Sequence, residues 1–175
     1  SRISDWEDRN TCVLFADGAG AAILKPSEDP GIIYSKLGAN GAYSDLLYVP
    51  YGTSKRPLKE QRNDNFLQMK GNEVFKVAVK TLESIAKDSL KEVNMTSEDI
   101  DWFIPHQANI RIIQAVSKRL NIPEKKVIIS LTDHGNTSAA SIPLALDQSI
   151  REGKIKTGDT VLLQSFGAGF TWGTV

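Results

Sequence analysis

The sequence predicts an α/β fold in which a mixed, mostly parallel sheet of five strands carries helices on both faces. Short runs of apolar and β-branched residues alternate along the chain with segments whose apolar residues recur at helical spacing. Such alternation is typical of chains in which helical crossovers join parallel strands. No repeat, low-complexity tract or interdomain linker interrupts the pattern, so residues 1–175 are predicted to form one domain.

Composition and charge narrow the class of protein. Of the 175 residues, 41% are apolar and 24% are charged, which is ordinary for a globular protein with a core of its own. The 21 basic and 21 acidic residues balance, so the overall charge does not indicate a nucleic acid partner. We expect neither a membrane span nor a signal peptide, because no apolar run approaches the ~20 residues of a membrane helix. The single cysteine, Cys12, suits a reducing cytoplasm, where we expect the protein to lie.

The amino-terminal third is predicted to supply two strands and a long loop. Residues 11–15 and 21–24 have the character of one strand, bent where the small residues 17–20 allow another backbone to approach closely. A second strand is predicted over residues 32–37. Residues 42–65 contain two prolines and many charges without periodicity, which predicts a loop of the kind that often lines a site.

The middle of the chain carries the strongest helix signal. Over residues 71–93 the apolar side chains form one stripe at helical spacing. Thr96 and Asp99 then have the spacing of a capping box. A buried strand is predicted immediately afterwards, over residues 100–104, because its residues are almost all apolar.

The carboxyl-terminal part continues the alternation. Pro105 interrupts the strand, and apolar residues at helical spacing predict a helix over residues 108–120. Pro143 removes a helix hydrogen bond, so the last predicted helix either starts near Ser141 or is kinked. The remaining predicted elements are a strand over residues 127–131, a helix over 138–152, and strands over 160–164 and 170–175.

Two strand–helix junctions carry residues that could do chemistry. His106 lies between the carboxyl end of a predicted strand and the start of a helix, where ligands bind in open α/β sheets. Asn136 follows Gly135 just before the next helix. Taken alone, His106 is equally compatible with a hydrogen-bonded structural histidine, and Asn136 with a turn or N-cap residue. His134 directly precedes Gly135, and the sequence is also compatible with an ordinary loop position for it.

Other candidate motifs are weaker. The glycines of residues 18–20 make a poor dinucleotide fingerprint, because Ile23 occupies the third glycine position. No base lies near Cys12 in the sequence, which favours packing over a nucleophilic role. Two histidines and scattered acids give no metal-ligand spacing. Basic residues on the two central helices are ordinarily solvated and matter only if the partner is acidic; they are Lys76, Lys80, Arg111, Lys118 and Arg119.

Five strings closely resemble the β-ketoacyl-acyl carrier protein synthase III family, the condensing enzymes that start bacterial fatty acid synthesis. They are FADGAGAAIL, MKGNEVFKVAV, IPHQANIRII, HGNTSAASIPLAL and LLQSFGAGFTWG, and the resemblance covers essentially the whole chain in order. It implies a thiolase-like fold of two similar α/β halves, of which this chain resembles the carboxyl-terminal one. The nucleophilic cysteine of the family's Cys-His-Asn trio belongs to the other half, and Cys12 does not align with it.

The resemblance implies roles for residues of this sequence. His106 and Asn136 match the catalytic His and Asn, which donate hydrogen bonds to the enolate oxygen formed when a malonyl thioester loses carbon dioxide. Ala168 matches a residue whose backbone N–H helps to hold an oxyanion, although many relatives carry glycine there. Residues that match the carrier-binding region are Gln107, Ala108, Asn109, Ile110 and Arg111, flanked by the positive charges of Lys76, Lys118 and Arg119. Those that match positions near the pantetheine arm are Asn72, Phe75 and Asn109.

The implied activity is that of an acyltransferase which condenses an acyl-CoA primer with malonyl-acyl carrier protein (malonyl-ACP). No permanently bound cofactor or metal is implied, since CoA and carrier thioesters are substrates. The implied partners are the acidic carrier and the amino-terminal half, within a full-length homodimer. The chain opens on Ser1 and stops at Val175 inside a predicted strand, so we expect a piece of a longer protein that is inactive alone.

Two alternatives remain open at this point. One is a non-catalytic half-domain that binds only carrier or CoA. The other is a different Cys-His-Asn synthase of the same fold, such as a chalcone-synthase-like or hydroxymethylglutaryl-CoA-synthase-like enzyme, although the five strings match the bacterial initiating synthases better. Asn136 also argues against thiolases and elongating synthases, which place other residues there. The sequence does not indicate whether the primer is acetyl or branched.

Overall fold

The computed structural model describes residues 3–29, 31–50 and 66–175, and within them it forms an α/β fold. The strands are β1 (Lys36–Ala39), β2 (Leu47–Tyr48), β3 (Gln68–Met69), β4 (Trp102–Pro105), β5 (Val161–Gly167) and β6 (Thr171–Thr174). The α-helices are α1 (Gly71–Glu92), α2 (Ile110–Arg119), α3 (Leu131–His134) and α4 (Ser141–Arg151). Short 3₁₀ turns cover Gly41–Tyr43, Ser97–Asp99, Glu124–Lys126 and Ser138–Ala140.

Within the described ranges, the main sheet has four strands in the spatial order β1–β6–β5–β4. β4 and β5 are parallel, whereas β5–β6 and β6–β1 are antiparallel. β2 and β3 pair separately as a small antiparallel ribbon. The α/β class and the mixed sheet are therefore confirmed, but the predictions of five strands and of mostly parallel pairing are wrong.

The predicted strand over residues 127–131 is reduced to a single bridge. Val127 bridges Phe103 of β4, and Ile128 N–H donates to Phe103 O at 2.9 Å. Beyond that point the side chain of Gln107 replaces a neighbouring strand, because it donates to Ile128 O and accepts from Ser130 N–H. The chain then turns into α3 at residue 131.

The amino-terminal strand predictions are mostly wrong. Of residues 11–15, only Phe15 pairs, in a parallel bridge with Asn136. Residues 21–24 form no strand, and Ile23 is 97% exposed, because no part of the described chain pairs with this segment. The second strand begins at Lys36 rather than at residue 32, and it ends at Ala39 rather than at residue 37.

Small residues in the 17–20 segment do allow a close approach, as predicted. A Cβ at Gly20 would lie 2.5 Å from Pro143 Cγ, and one at Gly18 would lie 2.9 Å from Thr137 Cβ. The segment therefore passes directly over the start of α4. Of the loop predicted over residues 42–65, the described part contains a 3₁₀ turn and β2, and residues 51–65 lie outside the described part.

Helices cover both faces of the sheet, as the sequence predicts. Successive residues of β4 point to opposite faces: Phe103 packs in the core with α1 and α2, and Ile104 packs with Ala145 of α4. The predicted helices over residues 71–93 and 108–120 are confirmed, with ends that shift by one or two residues. None of the helices in the described ranges has the length and hydrophobicity that a bilayer crossing requires.

Local capping signals also agree with the structure. Thr96 and Asp99 form the predicted capping box, with Thr96 N–H donating to Asp99 Oδ2 at 2.7 Å. α4 starts at Ser141, so Pro143 falls in its first turn, where backbone N–H groups have no partner within the helix. The predicted strands at the carboxyl end are present, but β5 continues to Gly167, which leaves only a short turn before β6.

Candidate active site

His106 lies at the predicted junction between β4 and α2. Its backbone N–H donates to Gln164 O at 2.7 Å, which extends the parallel pairing one residue beyond β4. Three residues later, the Asn109 side chain accepts from Arg111 N–H at 2.8 Å and caps α2. The strand end and the cap together hold the imidazole between the sheet and the start of the helix.

The imidazole of His106 is half-buried among aromatic and polar neighbours. Its Nδ1 lies 2.6 Å from Ser141 Oγ. The ring of Phe166 meets it edge-on, with centroids 5.7 Å apart, and Phe166 stacks on Phe170 behind it. Burial lowers the pKa of His106 from 6.5 to about 4. The ring is therefore neutral near pH 7, and one of its two nitrogens carries a hydrogen.

Asn136 is held in place by its backbone and by its own side chain. It follows Gly135, whose φ of +67° favours glycine. Its backbone bonds to the amino-terminal segment, because Ala16 N–H donates to Asn136 O at 2.8 Å. Asn136 Oδ1 accepts from Ser138 N–H at 3.0 Å. That bond orients the amide, and Nδ2 donates to no acceptor within the described residues, so it remains available to a ligand.

The turn between β5 and β6 contributes a third donor. Ala168 is exposed, and its carbonyl accepts from Thr171 Oγ1 at 3.0 Å. Its backbone N–H donates to no acceptor in the part of the chain that the structure describes.

These three donors line one cavity of about 580 Å³, although they come from three distant parts of the sequence. Five of the predicted carrier and pantetheine residues line it as well, at the amino ends of α1 and α2: Asn72, Phe75, Ala108, Asn109 and Arg111. The Arg111 guanidinium lies over the Phe75 ring, 5.6 Å from its centroid, so the two helix ends meet at the cavity wall.

The side chain of Gln107, a residue of the predicted carrier-binding stretch 107–111, is turned inward. It is 0% exposed, and its Nε2 donates to Pro105 O at 2.7 Å and to Ile128 O at 3.2 Å. Its Oε1 accepts from Ser130 N–H at 2.9 Å. The side chain is thus a structural link between the end of β4 and the segment before α3.

Other predicted carrier-binding positions lie apart from the cavity. Lys76 lines a separate cleft with Lys80. Lys118 and Arg119 lie in the last turn of α2, and Arg119 pairs with Glu83 at 2.8 Å. Ile110 is exposed at the first residue of α2. Of the positive charges named from the sequence, Arg111 is therefore the one at the cavity.

The site also contains residues that no functional pattern in the sequence marks. Asp8, Asn10 and Phe166 line the cavity, and Ser141 contacts His106 from behind. A serine near a helix start carries only a capping signal in the sequence, and no pattern marks the other three. Cys12 is half-buried and unpaired. Within the described ranges, no cluster of three His, Cys, Asp or Glu side chains could hold a metal ion.

Comparison with known proteins gives a consistent match. The family model described as 3-oxoacyl-[acyl-carrier-protein (ACP)] synthase III C terminal matches residues 90–175, and the model described as 3-oxoacyl-[acyl-carrier-protein (ACP)] synthase III matches residues 1–41. A β-ketoacyl-[acyl-carrier-protein] synthase III from Alkalilimnicola ehrlichii is 53% identical over 174 residues, which are 99% of this chain and 54% of the relative. The protein of the same name from Vesicomyosocius okutanii is 54% identical over 175 residues, covering 100% of this chain and 54% of the relative.

A solved structure agrees with the sequence matches. The crystal structure of 3-oxoacyl-[acyl-carrier-protein] synthase III from Aquifex aeolicus superposes with a TM-score of 0.90 at 44% identity, covering 99% of this chain and 53% of that one. The sheet and its helices therefore have the thiolase-like arrangement. The chain spans about half the length of the curated relatives it matches.

Proposed function

The chain belongs to the 3-oxoacyl-[acyl-carrier-protein] synthase III family, and we propose that it is the carboxyl-terminal catalytic half of an enzyme that condenses an acyl-CoA primer with malonyl-ACP. Its reaction is a decarboxylative Claisen condensation, the step that starts fatty acid synthesis. The observation that supports this is the convergence of three donors, from His106, Asn136 and Ala168, on one cavity. The nucleophilic cysteine comes from the amino-terminal half.

The proposed reaction has two steps, and each needs its own groups in the site. In the first step the cysteine thiolate attacks the primer thioester carbonyl, and the CoA thiolate leaves. In the second, the bound malonyl thioester loses carbon dioxide, and its electron pair forms an enolate. The enolate carbon attacks the acyl-cysteine carbonyl, which forms the carbon–carbon bond and releases the cysteine thiolate. Negative charge thus develops on one thioester oxygen during decarboxylation and on another during condensation.

His106 and Asn136 are suited to the oxygen that becomes charged during decarboxylation. A neutral imidazole with one N–H and an amide with a free Nδ2 are both hydrogen-bond donors, and neither has to move a proton. Both are fixed before the substrate arrives, His106 by the strand end and Asn136 by its bond from Ser138 N–H. Preorganised donors of this kind are often the largest single contribution to catalysis. The free N–H of Ala168 serves the oxyanion on the acyl-cysteine.

The cavity wall indicates how the thioester arm enters. Asn72 and Asn109 supply amide groups that suit the amides of a pantetheine arm, and Phe75 supplies an apolar surface. Arg111 stands among them at the amino end of α2, where its positive charge suits an acidic carrier. The remaining expected partners are the chain's own amino-terminal half and, for the full-length enzyme, a second copy. We expect the reaction to take place in the cytoplasm.

The decisive experiment joins this chain to the part that it lacks relative to its relatives. We define the chimera as the amino-terminal half of the Alkalilimnicola ehrlichii relative fused to residues 1–175. The chimera should condense short acyl-CoA primers with malonyl-ACP, whereas the 175-residue chain alone should show no condensation. A folded chimera whose cysteine is acylated but which makes no condensation product would contradict the proposal. If that chimera still bound malonyl-ACP, the result would favour a non-catalytic binding half-domain.

The two half-reactions give a sharper test of the assigned roles. In the chimera, Asn136→Ala should slow malonyl-ACP decarboxylation about 10²–10³-fold, the usual cost of one oxyanion donor. Cysteine acylation by acyl-CoA, followed by mass spectrometry, should remain within a factor of two or so of the parent rate, because Asn136 acts on the other substrate. An equal loss of both half-reactions would contradict the role given to Asn136.

A further inference from the structure

Ser141, the first residue of α4, lies directly behind His106. Its side chain is 2% exposed, and its Oγ has two contacts in the described structure. One is His106 Nδ1 at 2.6 Å, and the other is the backbone N–H of Gln107, which donates to Oγ at 3.2 Å. A serine at a helix start ordinarily caps the helix, but the N-cap of α4 is Ala140 and makes no side-chain cap. The Ser141 side chain therefore bonds to the histidine and does not cap the helix.

The direction of the bond between Ser141 and His106 follows from counting donors and acceptors. A hydroxyl has one hydrogen and two lone pairs. The Gln107 N–H can only donate, so it occupies a lone pair of Oγ. Among the described residues, His106 Nδ1 is the one acceptor in contact with the hydroxyl, so the hydroxyl hydrogen has to go there. The opposite direction would leave a buried O–H donor without an acceptor, which is unfavourable.

We propose that Ser141 is a positioning residue that donates to His106 Nδ1 and so holds the hydrogen of the neutral ring on Nε2. The neutral imidazole has a single hydrogen, and the partner of one nitrogen decides which nitrogen carries it. With Nδ1 accepting, Nε2–H is the donor. The inference deepens the proposed function, because Nε2–H is the donor that the enolate oxygen needs. The other tautomer would turn a lone pair toward the developing negative charge.

Both ends of this contact are anchored. The backbone of Gln107 is fixed because the side chain of the same residue makes three hydrogen bonds. Ser141 is fixed by α4, whose Ala145 packs against Ile104 of β4. The hydroxyl is therefore presented to Nδ1 by the packing of a helix on the strand that carries the histidine.

The tautomer can be measured without any catalysis. The 175-residue chain with His134→Gln, which removes the one other imidazole, is labelled with ¹⁵N-histidine and examined by long-range ¹H–¹⁵N correlation near pH 7. We expect Nε2 to be the protonated nitrogen. Ser141→Ala should move population to the Nδ1–H tautomer, and Ser141→Thr, which keeps the hydroxyl, should not. A protonated Nδ1 in the parent, or an unchanged tautomer in Ser141→Ala, would overturn the inference.

Catalysis in the chimera provides the second readout. Ser141→Ala should lower kcat of condensation about tenfold or more, since a fraction of the effect of losing one oxyanion donor is expected. The KM for acyl-CoA should change little, and Ser141→Thr should restore most of kcat. Ser149→Ala is the matched control, because Ser149 is an equally buried serine of the same helix, eight residues beyond Ser141. If Ser141→Ala lowers kcat no more than Ser149→Ala does, the positioning role is wrong.

The two measurements separate this inference from the proposed function. A folded parent chimera that is acylated but makes no condensation product, together with the expected tautomer in the chain, would refute the proposed function and leave the positioning of His106 intact. An active chimera with a protonated Nδ1 would do the reverse. Should Ser141→Ala fail to fold, the tautomer of the parent chain still decides the direction of the hydrogen bond.

Discussion

The pKa of His106 is the most direct consequence of how the site is built. Burial lowers it to about 4, against an ordinary value of 6.5. That difference of about 2.5 pH units corresponds to roughly 3 kcal/mol in favour of the neutral form, at about 1.36 kcal/mol per pH unit. The burial comes from β4, from the turn into α2 and from the ring of Phe166, which meets the imidazole edge-on. We therefore expect the imidazole to be a neutral donor near pH 7.

The sign of the effect on stability follows from the direction of the pKa change. The unfolded chain takes up the proton near pH 6.5, whereas the folded chain resists it until about pH 4. The free energy of unfolding therefore has its full value above pH 6.5, and it decreases as the pH falls from 6.5 to about 4. Urea unfolding of the 175-residue chain should show this loss, and His106→Gln should lack that part of the pH dependence.

A chemical-shift titration measures the pKa itself. The imidazole of His106 should titrate with a midpoint near 4. Phe166→Leu removes the ring that shields the imidazole, so it should raise the pKa of His106 by a pH unit or so, which is about 1.4 kcal/mol. A midpoint near 6.5 in the parent, or no change in Phe166→Leu, would refute the view that burial keeps this ring neutral.

Gln107, which links β4 to the segment before α3, and Arg111, at the cavity wall, can each be tested by substitution. Gln107→Leu should lower the free energy of unfolding by about 2–4 kcal/mol, because two buried carbonyls and one N–H lose their partner. Urea denaturation measures this loss, and Gln114→Leu at an exposed position is the control. A loss in Gln107→Leu no larger than that in Gln114→Leu would contradict the structural role. In the chimera, Arg111→Glu should raise the KM for malonyl-ACP about tenfold with little effect on acyl-CoA use, since the cation over Phe75 stands at the cavity wall. The same change at the exposed Lys125 should have no effect, and an equal effect at both positions would rule out docking at Arg111.

Local patterns in the sequence predicted the elements that are stable through their own residues. The apolar stripe of α1 and the capping box at Thr96 depend on neighbours a few residues away, and both are present. The strand predicted over residues 127–131 is not formed, for a reason that lies outside the pattern of these residues. They have strand character, but the Gln107 side chain supplies hydrogen bonds where a strand would have. Nothing in the spacing of residues indicates that an amide 21 to 23 positions earlier will do so.

Some features of the candidate site could likewise be predicted from the sequence, and others could not. A strand–helix junction marked the positions of His106 and Asn136, and the family resemblance supplied their pairing. Their joint cavity could not be predicted from spacing, because it requires β4, the 136–138 segment and the β5–β6 turn to meet at one end of the sheet. Burial is equally invisible in the sequence, so Gln107 looked like its exposed neighbours, and Ser141 looked like a capping serine.

The arrangement of donors and nucleophile explains why the chain should separate the two half-reactions. Every group proposed for the enolate oxygen belongs to residues 106–141, and all of them are held by contacts within this chain: Ser141 on Nδ1, Ser138 on the Asn136 amide, and the strand end on His106. The one cysteine, Cys12, is not among the residues that line their cavity. Substitutions among these donors should therefore slow decarboxylation while the cysteine of the other half still takes up its acyl group. A common loss of both activities would mean that the histidine and asparagine also activate the thiolate, and the division of labour proposed for the two halves would be wrong.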